Sequence, residues 1–98
     1  MLLVHTTCKT KREAEKIAAA LVKEKLAACA SVFPCKSFFI WNGKMQRQGE
    51  FIIELKTADK NYAKLARRIR QLHSYSLPQI IAVRVSRANA DYKKWVEG

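Results

Sequence analysis

From Ser37 the chain reads Ser37-Phe38-Phe39-Ile40-Trp41-Asn42-Gly43-Lys44, continues through polar residues to Glu50, and then turns apolar again from Phe51 to Thr57. Asn42-Gly43 accepts the positive φ of a chain reversal, so two extended apolar runs on either side of it predict a long hairpin. The polar residues through Gly49 are expected to share in that reversal, with Phe51 resuming the strand. Side chains alternate across a strand, which sends Phe38 and Ile40 one way and Phe39 and Trp41 the other. A hairpin that is apolar on both faces needs cover on both. That requirement restricts the chain to folds that supply a packing partner on each side.

The flanking segments supply one of the two. Leu2 to Thr7 reads as an apolar, β-branched strand, and Thr10 follows as a helix cap with Glu13 placed to reciprocate. Ala14, Ile17, Ala18, Leu21 and Val22 then recur at the spacing of one helical stripe. Ala28 to Trp41 is extended, and Pro34, which cannot donate to a ladder, calls for a bulge or an edge position. After Thr57, Asp59 is a candidate cap for a second helix with Tyr62, Leu65, Ile69 and Leu72 buried and Lys60, Lys64, Arg67 and Arg68 opposite. His73 to Pro78 breaks that helix, Gln79 to Val85 reads as a buried strand, and Ala90 to Val96 as a short terminal helix.

The order βαββαβ plus a tail helix is the split βαβ, or ferredoxin-like, α+β arrangement, in which right-handed crossovers put both long helices on one face of an antiparallel sheet. The other face stays bare. An apolar sheet face of that size predicts an oligomer packed through its sheets. With 98 residues, 49% of them hydrophobic, and only five Gly and Pro in all, residues 1–98 form a single domain. No apolar run is long enough to span a membrane, and Met1-Leu2-Leu3-Val4-His5 turns polar too early for a signal peptide, so a cytoplasmic protein is expected. Cys8, Cys29 and Cys35 lack C-x-x-C spacing and are expected to be reduced thiols.

Across the whole chain the sequence resembles the CutA family of divalent-cation tolerance proteins. The likeness is carried by Thr6-Thr7-Cys8, Lys25-Leu26-Ala27-Ala28-Cys29, Ser37 with Trp41-x-Gly43-Lys44, Glu50, Lys56-Thr57, His73-x-Tyr75-x-x-Pro78 and Tyr92-x-x-Trp95. The resemblance implies a stable homotrimer of ferredoxin-like subunits, similar in architecture to the PII signalling proteins, with a role in metal tolerance and no defined reaction. It places a copper-linked cysteine at Cys29, where a thiolate suits a soft ion such as Cu(I). His73 is the second donor the motif offers, with Cys8, Cys35, His5, Met1 and Met45 as weaker ones. It also implies a ligand-binding cleft between subunits around Glu50, Lys56, His73 and Tyr75.

Each of these residues has a plainer reading. Free cysteine is often buried, so core packing competes with ligation for Cys29. His73 follows a helix end, where it can satisfy terminal carbonyls. Trp41, Tyr92 and Trp95 suit packing anchors at a subunit interface, and Glu50 or Glu54 can pair with Lys56 across one. Phe39, Ser31, Ser74 and Gln79 depart from the family pattern of Tyr, Asn, Pro and an acidic residue. The loss of a carboxylate at Gln79 favours soft ligation over hard.

The charge opens two further possibilities. Nineteen Lys and Arg against eight Asp and Glu leave a net +11, which draws polyanions. A cleft rich in cations would take a small anion, making a PII-like sensor the alternative function. Non-specific nucleic-acid binding through the basic surface comes third, without an RNP-type motif to read bases. No Ser-His-Asp order, phosphate-cradling glycine loop or paired carboxylates point to an enzyme. A Cys29-His73 nucleophilic pair would need the two within hydrogen-bond reach.

Overall fold

Asn42 (φ 52°) and Gly43 (φ 75°) form a two-residue turn with both central residues at positive φ. Its tightness sets the geometry of everything on either side. Strand β2 (Cys29–Trp41) enters it and β3 (Lys44–Thr57) leaves it at once, in unbroken antiparallel register from Trp41↔Lys44 to Cys29↔Lys56. The polar stretch from Lys44 to Gly49 is therefore strand, not part of the reversal as its composition suggested. An Asn-Gly pair closes a hairpin by itself, and the longer loop is unnecessary.

The computed structural model describes residues 1–98. Besides the hairpin it contains β1 (Leu2–Cys8), α1 (Lys11–Lys23), α2 (Tyr62–Leu72), β4 (Ile81–Arg84) and α3 (Ala90–Glu97), with a single 3₁₀ turn at Asp59–Asn61. The sheet order is β2-β3-β1-β4, all neighbours antiparallel, which is the ferredoxin-like topology. Pro34 sits on an edge strand with no bulge, its missing donor costing nothing in the ladder.

One face of this sheet makes the core. Leu2, Val4 and Cys8 of β1 and Ile53 and Leu55 of β3 meet Ala14, Ile17, Ala18 and Leu21 of α1 and Leu65 and Ile69 of α2. Val22, expected in the α1 stripe, falls at its margin and is exposed. Thr10 caps α1 by accepting from the Glu13 amide at 3.1 Å. Glu13 does not reciprocate; its carboxylate accepts from the Ser74 amide at 2.8 Å, tying the loop after α2 to α1. Burial, the largest single influence, pushes the Glu13 carboxyl up, but the Ser74 hydrogen bonds and the smaller contributions of His73 and the Lys9 amide together outweigh it, and the net direction is down.

Two further expectations change. Asp59 does not cap α2, which begins after the 3₁₀ turn at Asn61 with no side-chain cap. Its carboxylate instead accepts from Arg84 on β4 and is held below the ordinary carboxyl range by that bond. The fourth strand is four residues long and exposed in the single chain, shorter and less covered than the buried run from Gln79 to Val85 suggested. The side chains opposite the helices explain it. Leu3, His5, Ile52, Phe33, Ile81 and Val83 share the helix-free face by register, and Phe33, Ile81 and Val83 are exposed there.

Candidate functional site

Beyond Cys8 the strand β1 ends, and the hairpin continues alone. The segment after α2 folds back beside it, leaving a groove of about 610 Å³ whose walls include Phe38, Phe39, Trp41, Glu50, Tyr75 and Leu77. Glu50 is buried at its base, only 7% exposed. The Tyr75 hydroxyl donates to the Glu50 carboxylate at 2.6 Å and accepts from the Gln48 amide at 3.1 Å. Burial and then that bond raise the Tyr75 phenol well above its ordinary range, so it stays protonated and donating.

His73 holds this arrangement from behind. Its Nδ1 accepts from the Tyr75 amide at 3.1 Å, and its Nε2 donates to the Thr7 carbonyl at 2.8 Å. The two partners fix the tautomer, since a carbonyl can only accept and an amide N–H can only donate. Neither ring nitrogen is left with a free lone pair. The Cys8 thiol lies 3.9 Å from Nε2. Burial first, then the charges of Glu13 and Glu50, push it up to about 12, which leaves Cys8 a poor nucleophile and a poor ligand.

The sequence-predicted residues thus divide between two places. Glu50, Tyr75 and His73 form one connected network, and Trp41 lines the same groove. Cys29 and Lys56 face each other across the β2–β3 ladder at its far end. His73 touches Cys8, and Cys8 lies opposite Phe51, so five residues of β3, roughly 16 Å at ~3.3 Å per residue, separate the two positions within a chain. Cys29 and His73 are not within hydrogen-bond reach of each other in one chain. Lys56 is likewise distant from Glu50; its ammonium approaches Glu54 at 3.9 Å, and Glu54 also contacts His5 at 2.9 Å.

No group of three His, Cys, Asp or Glu side chains converges within one chain in a metal-binding arrangement. Tyr92 and Trp95 lie on α3 with ring centroids 5.7 Å apart, and Trp95 is exposed. Among the lining residues that were not expected in the site are the polar Thr7, Gln46, Gln48 and Ser76. Gln46, Gln48 and Glu50 are spaced two apart. That alternation marks one face of a strand, and it becomes visible once the polar stretch is read as extended. The groove carries one carboxylate and no cationic side chain among its lining residues, so within a chain it suits a neutral or cationic guest.

Comparisons with known proteins agree along the whole chain. A divalent-cation tolerance protein CutA from Pyrococcus horikoshii is 38% identical over 96 residues, covering 98% of this chain and 94% of its own. The corresponding protein of Archaeoglobus fulgidus is 36% identical over 94 residues, covering 96% and 92%. Among solved structures, CutA1 from Pyrococcus horikoshii superposes with a TM-score of 0.95 over 98% of this chain and 94% of that one. The Archaeoglobus fulgidus structure, described as a periplasmic divalent cation tolerance protein, superposes with a TM-score of 0.94 over 98% and 95%, at 36% identity. The family model for the CutA1 divalent ion tolerance protein matches residues 2–98, and with the fold and these relatives in agreement the chain belongs to the CutA family.

Proposed function

We propose that this chain is a divalent-ion tolerance factor that works as a cytoplasmic homotrimer of PII-like architecture, without a catalysed reaction, and that handles copper through the Cys29 thiolate. The position of Cys29 carries the reading. It is half-buried on the helix-free face of the sheet, the face that copies of the chain would share, so donors from several copies can converge there as those of one chain do not. Thiolate is the donor in this protein best matched to Cu(I). His73 is left out of the metal site in this reading, because binding a metal would cost it one of two short hydrogen bonds. Its role is to position Tyr75.

The test is a Cu(I) titration against a competing chelator at matched oligomer mass. Tight binding is expected in the wild type and in His73→Gln, and its loss is expected in Cys29→Ser. Equal binding in wild type and Cys29→Ser, or none in either, would remove copper from the proposal and leave Cys29 a packing residue.

A further inference from the structure

The outer surface of the two long helices is cationic in a way that neither the core nor the groove requires. On α2 and the turn that precedes it, Lys60, Lys64, Arg67 and Arg70 are all exposed, and none makes an ion pair. At 100° per residue Lys64, Arg67 and Arg70 of α2 centre opposite the buried Leu65 and Ile69, so the row as a whole faces away from the sheet. On α1, Arg12, Lys16 and Lys23 are likewise exposed, unpaired and opposite Ala14, Ile17 and Leu21. Of the acids nearby, Glu15 is approached by Lys11 at 3.9 Å, Glu24 pairs with Arg68 at 2.9 Å, and Glu13 accepts from Ser74. No acidic residue occurs between Lys60 and Leu72.

We propose that this helical face binds the phosphate backbone of double-stranded nucleic acid without reading its sequence. From Lys60 to Arg70 the row runs roughly 15 Å at ~1.5 Å per residue, which spans about four base-pair steps of the duplex axis at ~3.4 Å each. Charge complementarity is the recognition. A protein partner would need a buried aromatic or aliphatic anchor, and Lys is depleted at such interfaces. The residues between the α2 cations on this face are Ala63 and Gln71, which offer no anchor. The same gap argues against a membrane, since a helix that lies on lipid inserts bulky apolar side chains beside its basic residues. The sheet face and the groove play no part, so the inference stands apart from the copper reading.

Fluorescence anisotropy with a labelled 30-base-pair DNA duplex, titrated from about 50 to 200 mM salt, tests it. Binding is expected to weaken steeply with salt and to be equal for two unrelated sequences. The variant Lys60→Gln/Lys64→Gln/Arg67→Gln/Arg70→Gln is expected to bind at least about tenfold more weakly at 50 mM salt, with a salt slope shallower by about 2 to 4. Lys60→Arg/Lys64→Arg should keep both. A hairpin variant, Lys36→Gln/Lys44→Gln/Arg47→Gln, serves as the control and should change little. The four substituted side chains have no partners, so melting of the variant should match wild type; should it not, the single variant Arg67→Gln, with a slope change of about 1, carries the test. The proposal is overturned by no duplex binding at 50 mM salt, by binding that the α2 variant leaves unchanged, by a preference between the two sequences, or by binding to phosphatidylserine vesicles alone.

Discussion

Thr6 and Thr57 are chemically the same residue in the same sheet face, and the fold treats them oppositely. The Thr57 hydroxyl donates to the Leu26 carbonyl at 2.7 Å, whereas the Thr6 hydroxyl is fully buried with no partner. A buried polar group without a hydrogen bond costs on the order of 1–3 kcal/mol. Thr6→Val removes that cost at nearly constant shape, so it is expected to raise the unfolding free energy by about 1 kcal/mol, while Thr57→Val lowers it by about as much by orphaning the carbonyl. Urea midpoints at unchanged slope would show both signs; a Thr6→Val protein less stable than wild type would mean that the hydroxyl has found a partner. Both residues read as strand from sequence, and no local signal separates them, because Leu26 lies thirty-one positions from Thr57. The same distance problem governs Cys8 and His73. Their types invite a site, but only tertiary contact shows that burial has silenced the thiol and that two hydrogen bonds have claimed the ring.

At the scale of elements, what sequence reveals is periodicity, and what it hides is where a strand stops. The α1 and α2 stripes, the Thr10 cap and the Asn42-Gly43 reversal follow from spacing and φ preference, and the structure contains each of them. The polar run from Lys44 to Gly49 was legible only as composition, and composition favours a loop. Its strand character comes from cross-strand pairing with Lys36 to Trp41, which a local pattern does not contain. Asp59 is a similar case, since a good capping residue was taken up by Arg84 from another strand. The hairpin's two glycines separate these influences. Gly43 has φ +75° and open space around it, while Gly49 has no left-handed φ and open space too. Gly43→Ala should therefore cost about 1–2 kcal/mol from backbone conformation alone. Gly49→Ala should be neutral or stabilising by up to about 1 kcal/mol through the unfolded state. Equal effects in guanidinium unfolding would show that the turn does not control the hairpin.

Seen as a whole molecule, the chain presents two faces that water treats differently. The helical face is covered with charge and is stable as it stands. The sheet face exposes Phe33, Ile81 at 46% and Val83 at 56%, and the hairpin beyond it exposes Phe38, Ile40, Trp41 and Met45. Apolar surface of that extent marks an interface, and two open edge strands make an uncovered monomer prone to association. This imbalance was readable from the doubly apolar hairpin alone, because alternation fixes which side chains face outward whatever the details of packing. The number of copies was not readable in that way; three is what the family resemblance implies. If the sheet face is the contact, a single charge placed on it must act on assembly and not on the fold of the chain. Val83 lies on β4 opposite Leu3, on the helix-free side and away from the core. Val83→Glu is therefore expected to lower the mass seen by sedimentation from three chains towards one while far-ultraviolet circular dichroism stays native. Val22→Glu, which adds the same charge to the exposed margin of α1, is expected to keep the full mass. A Val83→Glu protein that still sediments as three chains would place the contact elsewhere. The remaining candidate would then be the hairpin beyond β1, where Phe38, Ile40, Trp41 and Met45 stay exposed in the single chain.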